Sequence, residues 1–71
     1  INSGWTKRLA ASALARLGDV DALEVLLDDA DWFARLGVAE ALVLLDGQTG
    51  TQLRRRVAQD VDPRVRAAAQ K

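Results

Sequence analysis

The residues of this 71-residue chain best suited to chemistry are its arginines and carboxylates. Arg54, Arg55 and Arg56 are consecutive. On a helix they fan around most of the circumference, so at least one must point near the core or a neighbouring element. The planar guanidinium fork suits a phosphate or an acidic peptide. It equally suits internal carboxylates. Placing Leu23 over Leu53 brings Glu24, Asp28 and Asp29 beside the cluster. A binding surface and internal pairing are both open readings. Trp32, next to Phe33 at a helix start, is the other candidate, as core packing or as an exposed anchor, since Trp is favoured at binding hot spots.

Asp31 and Arg35 are spaced i, i+4, and so are Asp62 and Arg66. Ser3 and Lys7 hold the equivalent places near the start. Three readings fit: a local pair worth about 0.3–0.5 kcal/mol, an arginine bridging neighbouring units, or a basic ladder for an anionic partner. Covalent catalysis finds little footing. With no His and no Cys, no Ser/His/Asp or Cys/His constellation can form. The acid pair Asp28-Asp29 reads as the surface end of a helix. Asp19, Asp21, Asp28 and Asp29 lack calcium-loop spacing and its glycine. Gly47-x-x-Gly50 is too short and polar for a phosphate loop. The sequence therefore offers no catalytic, cofactor or metal residues.

The formal net charge is zero, which argues against a nucleic-acid partner. The halves differ, however. Residues 1–31 carry three basic against six acidic side chains, and residues 32–71 seven against four. The longest uninterrupted apolar run, Ala41 to Leu45, falls far short of the roughly 18 residues of a membrane span, so no membrane role is expected.

The elements that must position these side chains are helices. Ala, Leu and Arg dominate, apolar residues recur with a 3.6-residue period, and Pro occurs once. A first helix is predicted from Gly4 or Trp5 to Leu17. Its apolar stripe is Leu9, Ala10, Ala13, Leu14 and Leu17, and Gly18 ends it. A second starts near Asp21 with a capping box, Asp21-Ala-Leu-Glu24, and faces the core with Val20, Leu23, Leu26 and Leu27. A third, capped by Asp31, runs to about Leu45, with Val38, Ala41, Leu42 and Leu45 inward. Asp46-Gly47 closes it and Gln48-Thr49-Gly50 is a loop. A fourth spans about Gly50 to Gln59 behind the box Thr49-Gly-Thr-Gln52. Asp62-Pro63 opens a fifth, because Pro at the first helical position loses nothing by lacking an N–H. Gly37 inside a helix implies close approach of a neighbour.

The first and third helices superpose at a shift of 28, with Lys7 on Arg35, Ala13-Leu14 on Ala41-Leu42, and Leu17 on Leu45. The next shift is 31, with Asp31 on Asp62 and Arg35 on Arg66. In this register Asp62-Pro-Arg-Val-Arg-Ala-Ala-Ala resembles the opening of a HEAT-like repeat, of the kind in phycobilin lyase subunits and bacterial scaffold proteins. Leu17-Gly18 and Ala41-Leu42 fit the same pattern, and Trp32-Phe33 departs from it. The resemblance implies an all-α α-solenoid of helix–turn–helix repeats: residues 3–30, 31–61 and a partial third at 62–71. It implies a non-catalytic scaffold or protein-binding module with a protein partner. It also leaves open a lyase subunit or an alkylpurine DNA glycosylase-like enzyme that cradles DNA. A chain opening Ile1-Asn2-Ser3-Gly4 with an incomplete last unit is expected to be a piece of a longer solenoid. Self-association through the open repeat ends is a further expectation.

Overall fold

The computed structural model describes residues 4–45 and 47–70. These form α1 (Gly4–Leu17), α2 (Val20–Leu27), α3 (Trp32–Ala41) continued by a 3-10 turn at Leu42–Leu44, α4 (Gly47–Ala58) and α5 (Pro63–Ala69). The chain is an all-α helical repeat. Helix α1 packs chiefly on α3, and α3 on α5. Helices α2 and α4 form a second row behind them.

Local chemistry explains most of the boundaries. Asp31 accepts a hydrogen bond from the Phe33 N–H at 2.9 Å, and Asp62 one from the Arg64 N–H at 2.8 Å. Both caps satisfy a donor that the first turn leaves without an intrahelical partner. Gly18 (φ 71°) and Gly47 (φ 69°) take the left-handed conformation at the turns. Ser3 and Asp46, to which capping or closing roles were assigned, lie outside the described residues.

Three expectations need correction. Helix α2 is capped by Asp19, not Asp21: the Asp19 carboxylate accepts from the Ala22 N–H at 3.2 Å. Asp21 and Glu24 therefore sit inside the helix, both exposed. The Gln48–Gly50 loop is instead the first turn of α4, where the Thr51 hydroxyl bonds the Gly47 carbonyl at 3.1 Å. Helix α4 is thus 12 residues against eight for α2, and this added length helps absorb the longer second step of the repeat. The α-helical part of α3 stops at Ala41 rather than Leu45.

The core is built from Ala11, Ala15, Leu23, Leu27, Val38, Ala39, Ala41, Leu42, Leu53, Val57, Val65 and Ala69. Of the buried face expected for α1, only Leu14 packs against this core. Leu9 is 62% and Leu17 80% exposed, and Ala10 and Ala13 are exposed too. The flank against α3 is the small-residue one, with Gly4, Ala11 and Ala15 buried. Small side chains let the α1 and α3 backbones approach closely, so that is where the neighbour sits. Leu9 and Leu17 point away from that flank and stay exposed, whereas Leu14 is half-buried against the core.

Candidate interaction surface

Of the three readings of the basic and acidic residues flagged by spacing, Arg35 follows the one in which an arginine bridges neighbouring units. Arg35 does not pair with Asp31 one turn before it. Its Nε donates to Asp60 at 2.8 Å and its second terminal nitrogen (Nη2) to the same carboxylate at 3.3 Å. The pair is largely shielded, with 12% and 8% of the two side chains exposed. The other terminal nitrogen (Nη1) donates to the carbonyls of Asp29 at 2.8 Å and Ala30 at 3.1 Å. Lys7 reaches Asp29 at 2.6 Å, and Arg66 Nη1 donates to the Asp60 carbonyl at 2.6 Å. Lys7, Arg35 and Arg66, one on each helix of the α1–α3–α5 row, therefore each reach a turn that follows a second-row helix.

Spacing did not single out Asp60, and Asp29, expected beside the Arg54–Arg56 cluster, pairs with Lys7 instead. Each also accepts the backbone N–H two residues on, from Asp31 at 2.8 Å and from Asp62 at 2.9 Å. The motif is Asp-x-Asp: the first Asp ties the turn to a cation, and the second caps the next helix. Its signal is present in the sequence, since Asp29-Ala30-Asp31 and Asp60-Val61-Asp62 share the 31-residue step. The Lys7 ammonium and the Asp31 N–H hold the Asp29 carboxyl below the usual carboxylate range.

The aromatic residues line the start of the α1–α3–α5 row. Trp5 stacks on Phe33 with ring centroids 5.6 Å apart, in line with their equivalent register positions. Arg8 lies 4.8 Å from the Phe33 centroid, and a two-point pair with Glu40 at 2.6 and 2.7 Å holds it there. That pair raises the Arg8 pKa. Trp32 is half-buried, meets Phe33 edge-on, and is capped by the Arg64 guanidinium at 3.4 Å from its centroid. Arg64 is in turn fixed by Asp62 at 2.7 Å.

That contact carries a pH dependence. The Arg64 side chain, followed by backbone donors, holds the Asp62 carboxyl down to about 2. A depressed folded-state pKa contributes stability that is full above the unfolded value and is lost as pH falls through the folded one. Thermal unfolding followed between pH 5 and 2 (a range set by the usual Asp pKa of about 3.9) should show Tm falling toward the acid end. Asp62→Asn should flatten that part of the curve while lowering Tm near neutrality.

Helix α4 presents all three arginines to solvent, because Leu53 and Val57 take its buried side. They do not act alike. Arg56 reaches back to Asp28 on α2 at 2.9 Å, and both side chains are well exposed. Arg54 lies about 200° round the helix from Arg56, and Arg55 points away from the core. Neither has an ion pair among the described residues. The arrangement can support non-covalent recognition of carboxylates. Among the described residues no group of three metal-ligating side chains comes together. No described helix is long and apolar enough to cross a membrane.

Comparison with curated proteins and with solved structures returns no significant match. The family model for HEAT repeats matches residues 2–71. That match covers the same register that stacks α1, α3 and α5 on one side and α2 and α4 on the other. The chain belongs to the HEAT repeat family.

Proposed function

We propose that this chain is a non-catalytic protein-interaction module whose second-row helices present a charged surface to a protein partner. The observation that carries this reading is the split within the arginine cluster. Arg56 is consumed by Asp28, while Arg54 and Arg55 stay exposed on α4 with no carboxylate partner among the described residues. Exposed arginines able to form two-point bonds match an acidic partner segment. HEAT repeats are generally interaction and scaffold modules, which supports the same reading. Trp32 sits at the margin of this proposal, because it is half-buried against the core and Arg64 covers one ring face.

The test is affinity capture with the chain, compared with an Arg54→Glu/Arg55→Glu variant. A partner held by these side chains should bind at least about tenfold more weakly to the variant, equivalent to about 1.4 kcal/mol. Both proteins should unfold at closely similar temperatures. Equal recovery by both would sink the α4 surface. Titration with duplex DNA at low salt addresses the nucleic-acid alternative. Salt-sensitive binding there, lost in the same variant, would replace the protein reading.

A further inference from the structure

The chain holds two Trp, one Phe and no Tyr, and all three rings meet in one place. Trp5 stacks on Phe33 with an interplanar angle of 14°, and Trp32 meets Phe33 edge-on with centroids 5.1 Å apart. The buried core is built instead from Ala, Val and Leu. Trp5 stays 58% exposed. The rings stand on the first turns of α1 and α3, and Arg64 from the first turn of α5 joins them. With α3 packed between α1 and α5, the patch runs along the first row rather than closing one end of it.

Charge and hydrogen bonding restrict what such a patch can hold. Both guanidinium groups against the rings are already engaged at two points, Arg8 by Glu40 and Arg64 by Asp62. Each cation is thus neutralised, and a phosphate or a partner carboxylate would have to displace a carboxylate in place. Neither indole N–H has an acceptor among the described residues, and neither is buried. Two free donors therefore accompany the rings. Among the described residues no cavity opens to take an inserted side chain, so an occupant must lie across the surface.

We propose that Trp5, Phe33 and Trp32 form a docking platform for a proline-rich segment of a partner protein in the polyproline II conformation. Such a segment makes no internal hydrogen bonds, so its carbonyls are free to accept from the indole N–H groups. Its proline rings are uncharged and lie against aromatic side chains, and the stiff helix loses little entropy on docking. Centroid steps of 5.6 and 5.1 Å along the run leave room for one polyproline turn of about 9 Å between the two indoles. An α-helical partner would satisfy its own carbonyls and leave both donors unmet. Single-stranded nucleic acid could stack on the rings, but its phosphates would find both nearby cations occupied. The platform lies on first-row helices and is separate from Arg54 and Arg55 on α4, so either site can fail without the other.

The probe is acetyl-decaproline-amide, titrated into the isotope-labelled 71-residue chain, whose two tryptophans give two indole N–H signals by NMR. Both signals should shift saturably, and a Gly-Ser peptide of equal length should move neither. Trp5→Ala should weaken binding at least about tenfold. Trp5→Phe keeps a ring against Phe33 but loses the donor, and should weaken it about threefold. Arg54→Glu/Arg55→Glu should leave it unchanged. Absence of saturation by about 2 mM decaproline overturns the proposal. So do equal shifts with the Gly-Ser peptide, affinity that ignores Trp5→Ala, or binding lost on Arg54→Glu/Arg55→Glu. Indole shifts that saturate with single-stranded oligothymidylate and not with decaproline would overturn it in favour of nucleic acid.

Discussion

Asp60→Ala is expected to destabilise the fold by about 2–3 kcal/mol, although Asp60 lies in a turn. The substitution removes both acceptors of the Arg35 fork and the acceptor of the Asp62 N–H. It leaves a guanidinium that is only 12% exposed without its counter-ion. Removing one partner of a shielded pair costs more than the pair itself contributes, because the remaining charge stays desolvated. A domain of this size has roughly 4–10 kcal/mol of total stability, so the loss is a large fraction of it. Asp60→Asn keeps an oxygen for the turn and should cost about half as much. Arg56→Ala, which breaks the exposed pair with Asp28, should cost under about 1 kcal/mol. Urea denaturation of the three variants checks the order. Equal losses for Asp60→Ala and Arg56→Ala would show that shielding of the Arg35 pair has no energetic consequence.

The second large effect concerns Gly37, where two considerations predict opposite signs. By helix propensity alone, Gly37→Ala should stabilise α3 by about 1 kcal/mol. A Cβ there, however, would lie 2.6 Å from Arg8 Cα and 2.9 Å from the Arg8 carbonyl oxygen. These are backbone atoms of α1, so no rotamer change relieves the contact and the two helices must separate. Overpacking of this kind costs about 1–3 kcal/mol, occasionally more. It would also disturb the flank where Ala11 and Ala15 pack. The net expectation is a loss of about 2 kcal/mol, visible as a lower urea midpoint. A stabilised Gly37→Ala protein would mean that α1 and α3 do not meet at this point.

Both predictions concern the joint between successive units rather than any one helix. Arg35 links the turn before its own helix to the turn after α4, and Gly37 sets how closely α1 and α3 approach. The proposed binding surface on the second-row helices depends on these joints for its shape. Variants at Asp60 or Gly37 should therefore weaken partner binding in proportion to their loss of folded protein. Arg54→Glu/Arg55→Glu should weaken binding at constant stability.

The features readable from residue order were those decided within a few residues. Asp31 and Asp62 cap their helices, Pro63 opens one, and Gly18 takes a positive φ, because each depends on neighbours close along the chain. The all-α fold and its 28- and 31-residue steps follow from the same local patterns. Competition between equivalent local signals was not readable. Asp19 and Asp21 can both cap, and α4 can start at Gly47 or Gly50; the packed helix selects one. Long-range choices were less readable still. Helix α1 has apolar residues on two flanks, and the small-residue flank is buried because Gly37 lets α3 approach there. Arg35 has a carboxylate four residues back, yet it pairs with Asp60, 25 residues on. Packing brings the Asp60 carboxylate alongside the Arg35 fork in a shielded place, with both oxygens within reach of it. The cation ladder is thus composed by the sequence but paired by the contact between successive helix pairs.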